Sequence, residues 1–334
     1  MTGTPDSTSL ETAIAQSQHT SPLSRVMALQ VFWVFLAAVL AFIALTLLTD
    51  TFATERNLFN VTRNFAFVAI MAIGMTTVIA SGGIDLSVGA SVVLSAVVIG
   101  VCMESGLPFW LSALAALGAA LLVGLVNGLL IAFVGIPSFV VTLGMMSFAR
   151  SLALVLSNNK MIYEFGPDHA VLLGLGGGRL FGIPNPVIVL LVIAAVTAVL
   201  YRWTRWGQHV FAIGGNESAA VMTGIPVRPI KVSVYMFSAF TAGVAGILMV
   251  GWLGSVTTNL GTSMELAVIA AAVIGGANLS GGEGTVAGAV IGALLIEVIR
   301  NSLILLGIST FWQGAFIGFF IVLVVAFDRL KALR

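Results

Sequence analysis

Few residues in this chain can carry chemistry, because 59% of its 334 residues are apolar and only 8% are charged. The informative ones are the ionisable side chains stranded in apolar sequence. Asp85 sits with Ser81 and Ser87 in a glycine-broken junction, and Arg150, Glu265, Glu297 and Arg300 interrupt later apolar runs. Such a group at membrane depth is expensive and is usually paired, water-exposed or functional. For Asp85 two readings stand together: it caps a helix starting at Leu86 by accepting from free backbone N–H groups, or it gates a polar pathway. Asp85, Glu265 and Glu297 are also the candidate proton or cation sites of an ion-coupled transporter. Glu297 and Arg300 are spaced to neutralise each other on one helix. Arg150 must find a carboxylate, snorkel outward or face a water-filled cavity. Thr142, Phe148, Asn127, Asn301, Trp312 and Gln313 are of types that line polar paths, although for each one taken alone helix packing or interface anchoring is the better reading.

Other chemistries find no residues. His19, His169 and His209 are too scattered for a metal site, and the single Cys102 excludes an internal disulfide and reads as a packed small hydrophobe. No catalytic carboxylate pair or Ser/His arrangement can be assembled from the apolar runs, so an intramembrane enzyme has no support. There is no Gly-x-x-x-x-Gly-Lys-Ser/Thr phosphate loop, and the run Gly174 to Gly178 follows no strand. Near-zero net charge and the lack of a clustered basic surface argue against nucleic acid.

The elements that position these residues are helices in lipid. The expected fold is an all-α polytopic bundle, because apolar runs of about 17 to 25 residues recur while alternating barrel strands are absent. Ten spans are expected: Gln30 to Leu48, Asn64 to Ala80, Leu86 to Met103, Phe109 to Val134, Ser138 to Leu156, Pro186 to Tyr201, Val232 to Trp252, Met264 to Gly275, Thr285 to Leu306 and Phe311 to Phe327. The eighth is short and is followed by five glycines between Gly275 and Gly284, so it either crosses or re-enters. Residues 1–24 read as a solvated, disordered tail ahead of a membrane domain over 25–334. The first apolar run is long enough to span, which favours an uncleaved helix over a signal peptide.

The segment from Arg202 to Lys231 carries four basic residues against one acidic one, and Arg329, Lys331 and Arg334 follow the last span. Both are expected on the cytoplasmic side, with both termini, while the balanced loop 157–185 faces outward. Within the basic loop, Asn216 is a good N-cap, Glu217 complements a helix start, and Gly224 with Pro226 ends about two turns. The short helix is either a solvated loop element or a surface that docks into a partner. Gly124 with Gly128, and Gly284, Gly288 and Gly292, read as close-packing positions within the chain or across a dimer. An internal echo pairs Gly83 to Gly89 with Gly276 to Gly282.

Several motifs resemble the membrane-spanning permease subunits of ribose-type sugar ABC importers. They are Ala72 to Thr76 leading into Ser81 to Gly89, Thr142 to Gly144 with Arg150, Ala212 to Glu217 through Gly224 and Ile225, and Ile274 to Gly282. The resemblance runs from about Asn57 to Val324. Two departures are Ala267, where relatives carry an acidic residue, and Ser151, where a glycine is common. The resemblance implies a multi-pass subunit of a bacterial inner membrane that is not itself an enzyme. It implies a coupling helix in loop 202–231, formed by Gly214, Gly215, Asn216, Glu217, Ser218, Ala219, Ala220 and Gly224, inserting into a cytoplasmic ABC ATPase. ATP and Mg would be held by that ATPase, with no cofactor on this chain. A periplasmic sugar-binding protein and a second permease chain, identical or related, complete the implied assembly, which imports a monosaccharide or small polyol. Which sugar or polyol stays open.

Overall fold

The computed structural model describes residues 30–309 together with 312, 314–316, 318, 319 and 322. The expected tail 1–24, Gln313 and the C-terminal basic cluster lie outside the described residues, as does much of the tenth expected span. The architecture is helical throughout, with one two-residue β-hairpin, Arg179–Leu180 against Ile183–Pro184. In chain order the helices are α1 (Gln30–Leu48), α2 (Glu55–Ala80), α3 (Val88–Glu104), α4 (Phe109–Leu129), α5 (Ser138–Leu156), α6 (His169–Gly177), α7 (Asn185–Trp203), α8 (Arg205–Gly215), α9 (Glu217–Met222), α10 (Val227–Leu253), α11 (Met264–Ile274) and α12 (Val286–Leu305). Among the described residues seven are long and apolar enough to cross a bilayer; α3 and α11 are shorter apolar helices.

Helix α10 is the hub. It packs on α2, α3, α4 and α6, while α2 and α11 pack on α12. Most of α2 and α10 is buried, whereas α7 presents an apolar face outward. The polar start of α2 explains why hydropathy placed it nine residues late. Thr54 accepts from the Asn57 N–H as its N-cap, and Arg63 is buried with its guanidinium 4.3 Å from the Trp252 ring. A cation lying on an aromatic face is stabilised by the ring quadrupole, and Arg63 also donates to Asn60 Oδ1 at 2.7 Å, so among the described residues α2 carries it inside the bundle without an ion pair.

The glycine pairs act within the chain. A Cβ on Gly124 would stand 2.7 Å from the Met236 Cα, and one on Gly128 2.6 Å from the Val232 Cα, so both let α4 lie against α10. Gly288 and Gly292 do the same between α12 and the carbonyls of Gly275 and Ala271. Helices in lipid associate through this kind of close backbone contact. Segment 157–185 is also more than a loop, since it forms α6 and the hairpin. Gly176 of α6 abuts the Leu248 carbonyl of α10, so the glycine run that hid this helix from sequence reading is what seats it.

The two ends of the bundle are separated by the length of α2, about 39 Å for its 26 residues. At the Glu55 end, Glu55 faces Arg179 at 3.9 Å, Ile162 bridges Val256, and Asn57 exchanges two hydrogen bonds with Asn301. At the opposite end lie α8, α9 and the turns that follow α2 and α11.

Candidate functional site

The site is built on the two breaks in the apolar pattern. Helix α2 ends at Ala80, Gly82 adopts φ +84°, and the chain turns through Ser81–Ser87 before α3 begins. Residues other than glycine rarely adopt that conformation. The second break, between α11 and α12, places Gly281 and Gly282 at positive φ. The two turns meet directly, because the Gly282 N–H donates to the Ala80 carbonyl at 3.0 Å.

Gly214 and Gly215, the last residues of α8, are wedged against this meeting point. A Cβ on Gly214 would overlap the Ala80 carbonyl oxygen and stand 2.6 Å from the Gly282 nitrogen, and one on Gly282 would stand 3.0 Å from the Gly215 Cα. The internal echo seen in the sequence thus marks two turns that clasp one point, the root of α9.

From that root α9 projects outward. Asn216 Oδ1 accepts from the Ala219 N–H at 2.9 Å, and Gly224 at φ +80° closes the far end. Glu217 pairs with Lys231 at 2.7 Å, fixing α9 to the first turn of α10. Both ends of α9 carry the caps expected from the sequence. Losing the N-cap costs about 1 kcal/mol, so Asn216→Ala is expected to raise amide exchange across 217–222 several-fold and leave the rest of the bundle protected, which hydrogen-exchange mass spectrometry reads.

Not every residue of the expected coupling surface faces out. Ala220 is 3% exposed and packs with Ile213 and Val227, so it seats the helix and offers no contact to a partner. The exposed apolar tip is Val221 and, at 89% exposure, Met222. Sequence reasoning left these two out of the site. Which side of so short a helix points outward was not legible, but an apolar pair next to the Gly224 stop was a usable signal. Ser218 and Ala219 are exposed beside them.

Asp85 is 1% exposed and fully engaged. Its Oδ1 accepts from the Ser87 N–H (2.9 Å) and the Ser87 hydroxyl (2.6 Å), and its Oδ2 accepts from the Ser238 hydroxyl of α10 (2.8 Å). Asn127 of α4 donates to the Ser87 hydroxyl at 2.9 Å. From α5, the Ser138 hydroxyl accepts from the Ile84 N–H and the Thr142 hydroxyl donates to the Ile84 carbonyl, both at 3.3 Å. Helices α4, α5 and α10 therefore hold one buried turn through polar side chains. A carboxylate that accepts three hydrogen bonds is stabilised in its buried position far better than an unpartnered one.

Beside the turn, Ser81, Gly83, Ser138 and Tyr235 line a cavity of about 670 Å³ whose mouth carries Glu217, Arg228 and Lys231. Ser81, Asp85, Ser87 and Thr142 are thus brought together. Phe148 and Arg150 are not part of this cluster. Phe148 lies on the exposed face of α5, and Arg150 donates to the Thr262 hydroxyl at 2.7 Å and the Gly261 carbonyl at 3.3 Å. Asn301 belongs to the Glu55 end, in its amide pair with Asn57.

Comparison with known proteins gives this geometry its setting. The family model described as "Branched-chain amino acid transport system / permease component" matches residues 57–325. The "Ribose import permease protein RbsC" of Escherichia coli (strain K12) is 38% identical over 300 residues, covering 89% of this chain and 93% of the relative. RbsC of Bacillus subtilis (strain 168) is 36% identical over 298 residues, or 89% and 92% of the two chains. The "L-arabinose ABC transporter permease protein AraH" of Azospirillum brasilense is 35% identical over 292 residues, or 87% and 85%. No solved structure matches. With the match spanning both broken-helix turns and the helix rooted between them, the chain belongs to this permease-component family, as a polytopic helical membrane protein that acts in transport.

Proposed function

We propose that this chain is the translocation subunit of an ATP-driven importer for a monosaccharide or related small polyol. A separate cytoplasmic ATPase holds ATP and Mg and grips α9; a binding protein delivers substrate at the Glu55 end; and a second permease chain, identical or related, completes the pathway. The observation that carries the reading is the exposed Val221–Met222 tip rooted at Gly214–Gly215, where a push on α9 reaches the ends of both α2 and the α11–α12 turn. Such a push moves the bundle only if the ATPase binds α9 differently in two states of the bundle. The basic residues Arg202, Arg205, Arg228 and Lys231 support a cytoplasmic Glu217 end. Substrate class follows the relatives named for ribose and arabinose rather than the amino acids in the family's description, because those relatives match nearly end to end.

The pathway runs along α5, where Gly144, Ser147 and Ser151 form an exposed stripe at helical spacing beside Phe148. A face meant only for lipid gains nothing from two hydroxyls. Ser81, Asp85 and Ser87 belong to the turn that anchors the start of this helix through Thr142, with Asp85 as a positioning residue.

The test is purification of the tagged chain from native membranes, reconstitution, and uptake of ribose, arabinose and leucine with and without ATP. A co-purifying phosphate-loop ATPase and ATP-dependent sugar uptake are expected. Met222→Glu, at a position that touches nothing within the chain's core, is expected to lower uptake at least tenfold with helical content unchanged. Uptake driven by an ion gradient in the absence of any ATPase would overturn the reading.

A further inference from the structure

The outward face of α7 ends in charge. Val192, Val196 and Val199 stand out from the bundle at intervals of four and three residues, and Trp203, 72% exposed, follows four residues later on the same stripe with Arg202 at its edge. The 19 residues of α7 span about 28 Å, which matches a hydrocarbon core of about 30 Å. Its last turn therefore lies where acyl chains give way to headgroups, the level at which tryptophan rings settle. Arg205 follows as the first residue of α8 and is also exposed. Among the described residues neither arginine has an ion pair or a side-chain hydrogen bond, so their donors stand unused beside the bilayer.

The elbow between the two helices is stiff. Thr204 leaves the helical conformation at φ −113° and accepts from the Gly207 N–H as the N-cap of α8. A Cβ on Gly207 would stand 2.5 Å from the Tyr201 Cα and overlap the Leu200 carbonyl, so α8 folds back closely on the end of α7. Behind the elbow, the Tyr201 hydroxyl shares a hydrogen bond with the Thr77 hydroxyl of α2, and the Trp206 ring N–H donates to the Ser233 hydroxyl of α10, both at 2.7 Å. The 11 residues of α8 then run about 16 Å to Gly214 and Gly215. One short helix thus carries the basic elbow at one end and the root of α9 at the other.

We propose that Arg202, Trp203 and Arg205 form a binding site for the headgroup of an anionic phospholipid, with an acyl chain lying along the valine stripe of α7. Charge selects this occupant. Two guanidiniums with no carboxylate paired to them favour a headgroup of net negative charge over a zwitterion, and their planar N–H forks match phosphate oxygens in pairs. Position selects it as well, because the apolar stripe leads from the arginines straight into lipid and a soluble anion would leave it uncovered. Each arginine near an anionic surface is worth about fivefold in affinity. Bound lipid fixes the elbow and, through α8, holds α9 in place for its partner. That regulatory role rests on the importer reading; the lipid site itself does not.

Native mass spectrometry of the full-length chain, released from nanodiscs of phosphatidylcholine and phosphatidylglycerol in equal parts, tests the site without sugar or ATPase. Retained lipid is expected to favour phosphatidylglycerol at least tenfold. Arg202→Gln with Arg205→Gln, at exposed positions that hold no other residue, is expected to bring the preference below about twofold in a folded chain. Arg202→Lys with Arg205→Lys is expected to keep at least half of it, and Arg179→Gln, at the opposite end of the bundle, to leave it unchanged. Amide exchange across 205–222 is expected to be at least threefold slower in phosphatidylglycerol than in phosphatidylcholine, and equal in the two lipids for the Gln pair. No preference, a preference that survives in the Gln pair, or an equal loss in Arg179→Gln overturns the site. So does displacement of the lipid by millimolar inorganic phosphate, which marks a soluble-anion site, or by the bound ATPase, which assigns the arginines to that partner. Exchange that ignores the lipid removes the hold on α9. ATP-driven sugar uptake by the complex separates the two readings: uptake without selective lipid removes the site and leaves the importer, whereas selective lipid on a preparation that moves no sugar keeps the site and removes the importer.

Discussion

Gly214→Ala is expected to abolish uptake, by at least a hundredfold, while the same substitution at the next residue leaves it within about twofold. The contrast follows from what a single methyl group meets. At Gly214 it overlaps the Ala80 carbonyl and crowds the Gly282 nitrogen, both backbone atoms in turns fixed by the hydrogen bond between them. No rotamer change relieves that clash. At Gly215 a Cβ meets nothing within 4 Å. Overpacking of this kind costs about 1–3 kcal/mol or more, and here the displaced atoms end α2 and separate α11 from α12. The expected destabilisation for Gly214→Ala is about 3 kcal/mol, whereas Gly215→Ala at a helix end should be neutral or slightly stabilising. Thermal unfolding and ATP-driven uptake of the two variants side by side provide the check. Equal behaviour of the pair would show that the junction yields easily and transmits nothing from α9.

The second large effect is at Asp85, where two substitutions separate its possible roles. Asp85→Ala removes the acceptor for the Ser87 N–H, the Ser87 hydroxyl and the Ser238 hydroxyl in a fully buried turn. Leaving a buried donor unsatisfied costs about 1–3 kcal/mol. The hydroxyls can turn to neighbouring carbonyls, so the net expected cost is about 3 kcal/mol, with loss of folded protein in the membrane. Asp85→Asn keeps the shape: its oxygen still accepts from Ser87, and its amide donates to the Ser238 oxygen. Its expected cost is about 1 kcal/mol, with uptake retained within about threefold. Folded yield and uptake of the two variants decide the matter. A well-folded Asp85→Asn protein that carries no substrate would assign the negative charge a direct part in the pathway and end the purely positioning role.

Much of the architecture was legible because the physics behind it is local. Hydropathy located α1, α4, α5, α7 and α12 to within a few residues, and Asn216 with Gly224 bounded α9 through their capping chemistry. What stayed hidden depends on contacts between distant segments. The first nine residues of α2 look too polar to span until Trp252 covers Arg63 and Asn301 pairs with Asn57. Helix α6 is obscured by glycines whose reason is the backbone of α10. At the site, Asp85 was conspicuous, but its partner Ser238 lies 153 residues away, and Asn127, which holds Ser87 beside it, lies 40 residues from that serine. The inward turn of Ala220 likewise depends on Ile213 and Val227. Helical phase alone does not say which side of a six-residue helix meets its own protein.

The central place of α10 also bears on how the chain is made. Helices α2 to α7 emerge from the ribosome before it, and they carry the grooves at Gly124 and Gly128 and the acceptor Oδ2 of Asp85. Until residues 227–253 arrive, those grooves have no occupant and that oxygen no serine. The contacts of α3 with α4 and α5, and of α2 with α7, need nothing from α10, whereas the packing of α2, α3, α4 and α6 around the middle of the bundle closes only when that one long helix is in place. Sequence changes along α10 therefore bear on assembly of the bundle as well as on transport.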